Sequence, residues 1–287
     1  MKYFTKEWYK LCQETTFDSG LEVYKVTEYD VEQLYLQLYT IEEVKYVKLQ
    51  REVYNTDPRF MLNFEEKFVP LNKILNEEEI VEEDVFVYQQ SAEEIASIEQ
   101  SIVAYDARPP FDESSSKANF FEIQEVHRNR LLHQLPPSLL ENIADIRLLA
   151  LGYCTEEVLQ ALKQLSKENE QKVNNTSEAF LKVQDAENIP HIYECLNFHD
   201  CYVTSIDFGN EQQFTLSFDS RGGFTSNNQL IFQNADIIKQ EEHILNSYWL
   251  YAEAYRTEHG YEVHALFSGE DIAELIIHCT DVIVKQV

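Results

Sequence analysis

His191, Cys195, His199, Asp200 and Cys201 are the side chains whose types and spacing come nearest to a chemical site. Written as His-x3-Cys-x3-His-Asp-Cys, they offer the imidazoles and thiolates that a tetrahedral zinc ion takes, and His278 with Cys279 could join from the last strand. In a helix, His191 and Cys195 would share a face, as would Cys195 and His199. Two features oppose a zinc site. The chain has no Cys-x-x-Cys, and strand alternation puts Cys201 and Tyr202 on opposite faces. The favoured reading is buried apolar thiols with a hydrogen-bonded histidine, so no metal or other cofactor is expected.

His199-Asp200 also reads as a base with its orienting carboxylate, or as the first half of a metal-hydrolase motif that continues along a helix. The residues that follow are patterned as strand, so we expect the pair to tie the start of that strand to a neighbouring loop through side-chain hydrogen bonds. One basic stretch, His127-Arg128-Asn129-Arg130 with His133 and Arg147 nearby, can be neutralised at helical spacing by Glu125, Glu141 or Asp145. Gly-x-Ser-x-Gly, Gly-x-Gly-x-x-Gly, the phosphate-binding Gly-x4-Gly-Lys run and His-Glu-x-x-His are all absent. Arg221-Gly222-Gly223 suits a hairpin turn better than a phosphate cradle. Were the chain a hydrolase-like enzyme, His199, Asp200 and Arg147 would be its candidates, in a cleft between a helical and a β part.

Those two parts follow from the hydrophobic rhythm. Phe4, Trp8, Leu11 and Cys12 recur at helical spacing behind a Thr5 cap, and a second helix opens at Asp30, carrying Leu34, Leu38 and Ile41, until Asp57-Pro58 breaks it. Residues 77–84 (EEEIVEED) read as a solvated helix face, with an acidic patch for a basic partner as the sharper alternative. Residues 106–119 (DARPPFDESSSKAN) are expected to be an exposed loop. Pro136-Pro137 stops one helix, and Ser138 with Glu141 predicts a capping box for another, carrying Leu139, Ile143, Ile146 and Ala150 and ending at Gly152. Thr155 caps a long or broken helix to about Val183, with a hinge near Pro190.

Beyond Pro190 the period changes to two. Strands are predicted at Tyr202–Phe208, Phe214–Asp219, Gln229–Gln233, Asp236–Gln240, Tyr248–Arg256, Tyr261–Phe267 and Glu274–Val284, with turns at Gly209-Asn210, Arg221–Gly223 and His259-Gly260. In the aromatic run Tyr248-Trp249-Leu250-Tyr251, alternation pairs Trp249 with Tyr251 on one face, so the strand is either covered on both sides or presents one face to a partner, and helices docked on the sheet would supply the cover. The expected fold class is α+β: a mainly helical part with room for a few strands over residues 1–189, then an antiparallel sandwich, open barrel or curled sheet over 190–287.

Composition bounds the function. The 287 residues carry 51 acidic and 23 basic side chains, a formal net charge of −28. Residues 1–189 account for −17 and residues 190–287 for −11, so neither part is a basic module. Such a field opposes nucleic-acid phosphates and anionic lipid. Five scattered cysteines, and an opening without the apolar core of a signal sequence, suggest reduced thiols in a cytoplasm. No apolar run approaches the roughly 18 residues of a membrane span.

The segment PPSLLENIADIRLLALG (136–152) and the opening MKYFTKEWY resemble an uncharacterised, mainly Gram-positive bacterial family, domain-of-unknown-function family 4085, over most of the chain. LNFHDCYVTSIDF (196–208) is similar to the Leu-His-Asp segment of that family and, more faintly, to small bacterial β domains of toxin-immunity type. The resemblance implies a cytoplasmic bacterial protein and no activity or catalytic residue. Together with the missing motifs and the charge, it makes a non-enzymatic protein, of immunity or regulatory type, that binds a basic protein through acidic surface the expected function.

Overall fold

A computed structural model describes residues 1–24, 30–63, 67–69, 81, 85–209, 212–269 and 271–286. They gather into two compact units, residues 1–21 with 155–287, and residues 22–154. The unit holding the sheet thus takes in helices that a division at residue 190 assigns to the helical part. Residues 77–84, apart from Val81, and Asn210 lie outside the described residues.

In the unit 22–154, Asp30 accepts the Glu32 N–H and starts α2 (Val31–Tyr54), which ends before Pro58. Ser91 and Glu94 form a reciprocal capping box for α3 (Ala92–Ala107). The loop predicted over 106–119 is corrected: Asp112 accepts the Ser114 and Ser115 N–H groups, and α4 runs from Glu113 to Gln134. Serines cost little in a first turn, where their backbone donors have no helical acceptor. The capping box predicted at Ser138 is also corrected. Pro137 opens a single turn, α5 (Pro137–Leu140), with no side-chain cap. Asp145 then accepts the Arg147 N–H to start α6 (Ile146–Ala150), and Gly152 follows at φ 93°, the left-handed stop expected of it. Short pairs β1 (Glu22–Val23) with β4 (Tyr153–Cys154), parallel, and β2 (Lys67–Phe68) with β3 (Phe86–Val87), antiparallel, complete the unit. Its buried apolar residues include Val47, Phe120, Leu148 and Leu149, with Tyr39 and Tyr46 against the Phe120 ring.

In the other unit, Thr5 caps α1 (Lys6–Cys12) and Thr155 caps α7 (Glu156–Glu187), which is one unbroken helix. Asn188, at φ 51°, ends it, and Pro190 occupies the first turn of α8 (Pro190–Cys195). Eight strands follow: β5 (Tyr202–Phe208), β6 (Phe214–Asp219), β7 (Gln229–Gln233), β8 (Asp236–Gln240), β9 (Tyr248–Thr257), β10 (Gly260–Ser268), β11 (Ile272–Cys279) and β12 (Asp281–Lys285). They form one antiparallel sheet in the order β12-β7-β6-β5-β9-β10-β11-β8, not closed into a barrel. The fold is therefore α+β, as the change of period indicates.

Two strand predictions need correcting. The single strand expected over 274–284 is two, because the chain leaves the β10 side of the sheet at Thr280 and pairs with β7 at its opposite end. The Thr280 N–H donates to the Gln233 carbonyl (2.9 Å) and the Asn234 amide donates to the Thr280 hydroxyl (2.9 Å), so the corner joins both ends of a curled sheet. In β9 the register slips opposite Leu266/Phe267: Phe267 faces Trp249 and Leu266 faces Tyr251, leaving Leu250 as the extra residue of a bulge. Trp249 consequently enters the core beside Phe198, Phe218 and Phe267, while Tyr251 lies outside it against Phe4 and Trp8.

Past the bulge, the outward positions of β9 carry a carboxylate into the interior. Glu253 is fully buried, and no Lys or Arg neutralises it among the described residues. Its Oε1 accepts the N–H groups of Tyr3 (2.8 Å) and Phe4 (2.5 Å), and its Oε2 accepts the N–H of Lys2 (2.7 Å) and the Tyr255 hydroxyl (2.6 Å). Glu253→Ala leaves those donors without an acceptor, so we expect a loss of about 3 kcal/mol or more, read from urea unfolding, with α1 exchanging its amide hydrogens first.

Nearby, Glu262 accepts from His264 (2.8 Å) and His278 (3.0 Å), bonds that hold its carboxyl down at about 2. Burial would raise Glu241, but bonds from Lys6, Lys239 and the Glu274 N–H outweigh it and hold that carboxyl at about 2 as well. Both folded values lie below the ordinary 4.5. The stability they contribute is complete above that value and is lost as pH falls towards 2. The urea midpoint should therefore fall between about pH 5 and about pH 3, and Glu262→Gln should flatten that fall.

Candidate functional site

The site is built on the turn between α8 and β5. Phe198 donates its N–H to the Leu196 carbonyl, and Cys201 to that of Phe198, both at 2.9 Å. Asp200 stands at φ 65°, its N–H on the Trp249 carbonyl (2.9 Å), while the Trp249 N–H returns to the Cys201 carbonyl (2.9 Å). The tie holding this turn is made by backbone groups to β9, in place of the predicted side-chain bonds to a neighbouring loop. On the other side, the loop 220–224 presses close. A Cβ on Gly223 would sit 2.3 Å from Cys201 Sγ and 2.9 Å from the His199 carbonyl, and one on Gly222 would sit 3.2 Å from the Asp200 carbonyl. Gly223 is therefore required for the close backbone approach, and Gly222 sits tightly beside it.

This framework places the half-buried His199 ring edge-on to Tyr251, centroids 5.1 Å apart. Its Nδ1 lies 3.0 Å from Asp200 Oδ2, an ion-pair distance reached without hydrogen-bond alignment. Beside it opens a cleft of about 500 Å³ formed by α7, α8 and β9, whose polar and aromatic walls are Gln184, Tyr193, Glu194, Asn197, His199 and Tyr251. Among the described residues no Lys or Arg lines it. The Tyr193 hydroxyl donates to the Ala254 carbonyl (2.7 Å), anchoring α8 to β9. Sequence reasoning singled out His199 and Tyr251 but not Gln184, Tyr193, Glu194 or Asn197. Gln184 comes from α7, Tyr193 and Glu194 from α8 and Asn197 from the turn after it, and no local pattern encodes how these segments meet β9.

The other candidates are placed elsewhere. His191 Nε2 bonds the Tyr261 hydroxyl (3.2 Å) and His278 is committed to Glu262. Cys195 packs against the core, whereas Cys201 and Cys279 are within it. Among the described residues no group of three His, Cys, Asp or Glu is arranged to hold a metal ion. Burial raises the Cys195 thiol, pushes Cys201 up to about 11 with Asp200 and Asp219 adding to it, and pushes Cys279 up to about 12 with help from Asp281. None of the three is a thiolate at neutral pH.

Arg147 belongs to the unit 22–154, on α6, whereas His199 and Asp200 belong to the other unit. Arg147 pairs with Asp145 (2.7 Å) and Glu32, and its guanidinium stands 4.1 Å over the Tyr35 ring. Bonds to Asp145 and then to Glu32 raise its pKa. Arg128 pairs with Glu125 (2.8 Å) at helical spacing, as the basic stretch suggests. No described helix is long and apolar enough to cross a membrane.

A family model described as "Protein of unknown function (DUF4085)" matches residues 115–278, more than half of the chain. No curated protein and no solved structure matches.

If close approach of Gly223 sets the turn, Gly223→Ala should displace the His199 ring resonances and destabilise the fold by about 1–3 kcal/mol, measured by NMR and urea unfolding.

Proposed function

We propose a role for a chain that belongs to the DUF4085 family of proteins of unknown function: it binds a basic protein partner through its acidic surface and catalyses no reaction. The observation that carries this reading is the fate of the cations. Lys45 pairs with Glu42, Arg51 and Lys117 with Glu113, Arg59 with Asp57 and Asp106, Arg128 with Glu125, Arg147 with Asp145 and Glu32, Arg221 with Asp219, and Lys239 with Glu241 and Glu274. With a formal net charge of −28, these pairs tie up much of the base content and leave the excess carboxylates to set the outer field. Such a field accelerates encounter with a basic surface and repels phosphate backbones and anionic lipid.

The site chemistry supports binding over catalysis. Its neighbouring thiol, Cys201, is buried and protonated, and the Asp200 beside His199 is exposed rather than enclosed as an orienting carboxylate would be. A bacterial cytoplasm and a regulatory or immunity role, in which one protein holds another, complete the proposal. The immobilised full chain should retain a basic protein from lysate at about 0.02 M salt and lose at least about tenfold of it at about 0.5 M, where charges beyond a few Å are screened. Retention of no basic protein at low salt, or retention indifferent to salt, overturns the reading.

A further inference from the structure

We propose that the cleft between α7, α8 and β9 receives an arginine side chain of the basic partner, a proposal that rests on the reading just given. The cavity, about 500 Å³, suits one extended side chain and the backbone on either side of it. Its walls combine the Glu194 carboxylate, the side-chain amides of Gln184 and Asn197, and the phenol-bearing Tyr193 and Tyr251. That set accepts a cation. Among the described residues no Lys or Arg of the chain itself lines the cleft. Glu194 is exposed and joins no ion pair among the described residues.

Guanidinium fits this lining better than ammonium does. Its five N–H donors lie in one plane and diverge, matching a carboxylate together with two amide carbonyls, and its flat face can lie on an aromatic ring. The receptor is also fixed in advance. The backbone bonds of the 196–201 turn, the close approach of Gly222 and Gly223 and the Tyr193–Ala254 bond hold its walls before any ligand arrives, which lowers the entropy cost of a single-side-chain contact.

The test is an NMR titration of the full chain with the capped tripeptide acetyl-Gly-Arg-Gly-amide, beside its lysine and citrulline counterparts. The arginine peptide should give saturable shifts centred on Asn197, His199 and Ala252, and the citrulline peptide, isosteric but uncharged, should bind more weakly by at least about tenfold. Glu194→Gln, an exposed change on α8, should weaken the arginine peptide by a similar factor with the rest of the spectrum unmoved. Equal binding of citrulline, equal binding of lysine, or shifts scattered over the surface without saturation overturns the assignment. If the unmodified chain captures a basic protein at low salt while the arginine peptide fails to saturate it, the cleft assignment falls and the acidic-surface reading stands. Saturation by the peptide without capture of any basic protein does the opposite: the cleft binds arginine, and the acidic-surface reading falls.

Discussion

A buried carboxylate governs how the β unit is assembled. Glu253 projects from the outer face of β9 into an environment without water, where an ionised group without donors would cost several kcal/mol. The donors come from the far end of the chain: three successive backbone N–H groups, of Lys2, Tyr3 and Phe4, converge on its two oxygens, and the Tyr255 hydroxyl fills the remaining approach. The arrangement is directional, so it fixes where residues 1–5 must run and hence where α1 begins. Phe4 and Trp8 then fall on Tyr251, and Tyr251 in turn flanks His199. The position of the candidate site is thus coupled to the solvation of one carboxylate two residues along the same strand from Tyr251.

Curling of the sheet depends on two local departures from strand regularity. The bulge at Leu250 moves Trp249 and Tyr251 to opposite faces, sending an indole inward and a phenol outward, and strengthens the twist where β9 meets β5. The break at Thr280 lets the chain step from β11, next to one edge of the sheet, to β12, which forms the other edge. Gly260 belongs to the same corner: at φ 140°, a Cβ there would fall 2.1 Å from the Cys279 carbonyl, so the β9–β10 turn and the end of β11 can approach only through glycine. The inner face, with Phe214, Leu216, Phe232, Trp249 and Leu275, is left dry and continuous.

Much of this was legible in the residues, and the failures have physical reasons. Thr5, Asp30 and Thr155 cap the helices that they announce, because a cap is a contact between residues two or three apart and needs nothing from the rest of the fold. The alternation of β6 shows plainly, since one face is buried and the other is not. The helix start at Glu113 was hidden by serines that look like loop, and the box at Ser138 lost to Pro137 and Asp145, each of which fixes the chain more strongly. A bulge and a corner are negotiated between strands distant in sequence, so neither Leu250 nor Thr280 carries a local mark. The cleft is the extreme case. Gln184, Glu194, Asn197 and Tyr251 come to line one cleft only once α7, α8 and β9 have packed together.

The same packing decides what kind of site this is. Catalytic groups are usually activated by burial beside a partner that perturbs them, and here the burial falls on groups that gain nothing chemically from it: Cys201 and Cys279 are pushed towards the neutral thiol, and Glu253 is saturated with donors. The exposed polar groups are Glu194, near the end of α8, and Asn197 and Asp200 on the turn that follows, and the backbone of that turn is fixed from two sides. Every element that fixes it lies in the unit formed by residues 1–21 with 155–287, so the shape of the cleft follows from one compact unit alone. Rigid backbone beneath accessible polar side chains favours recognition: the entropy of ordering is lost on folding, and a partner meets charge and shape already in place.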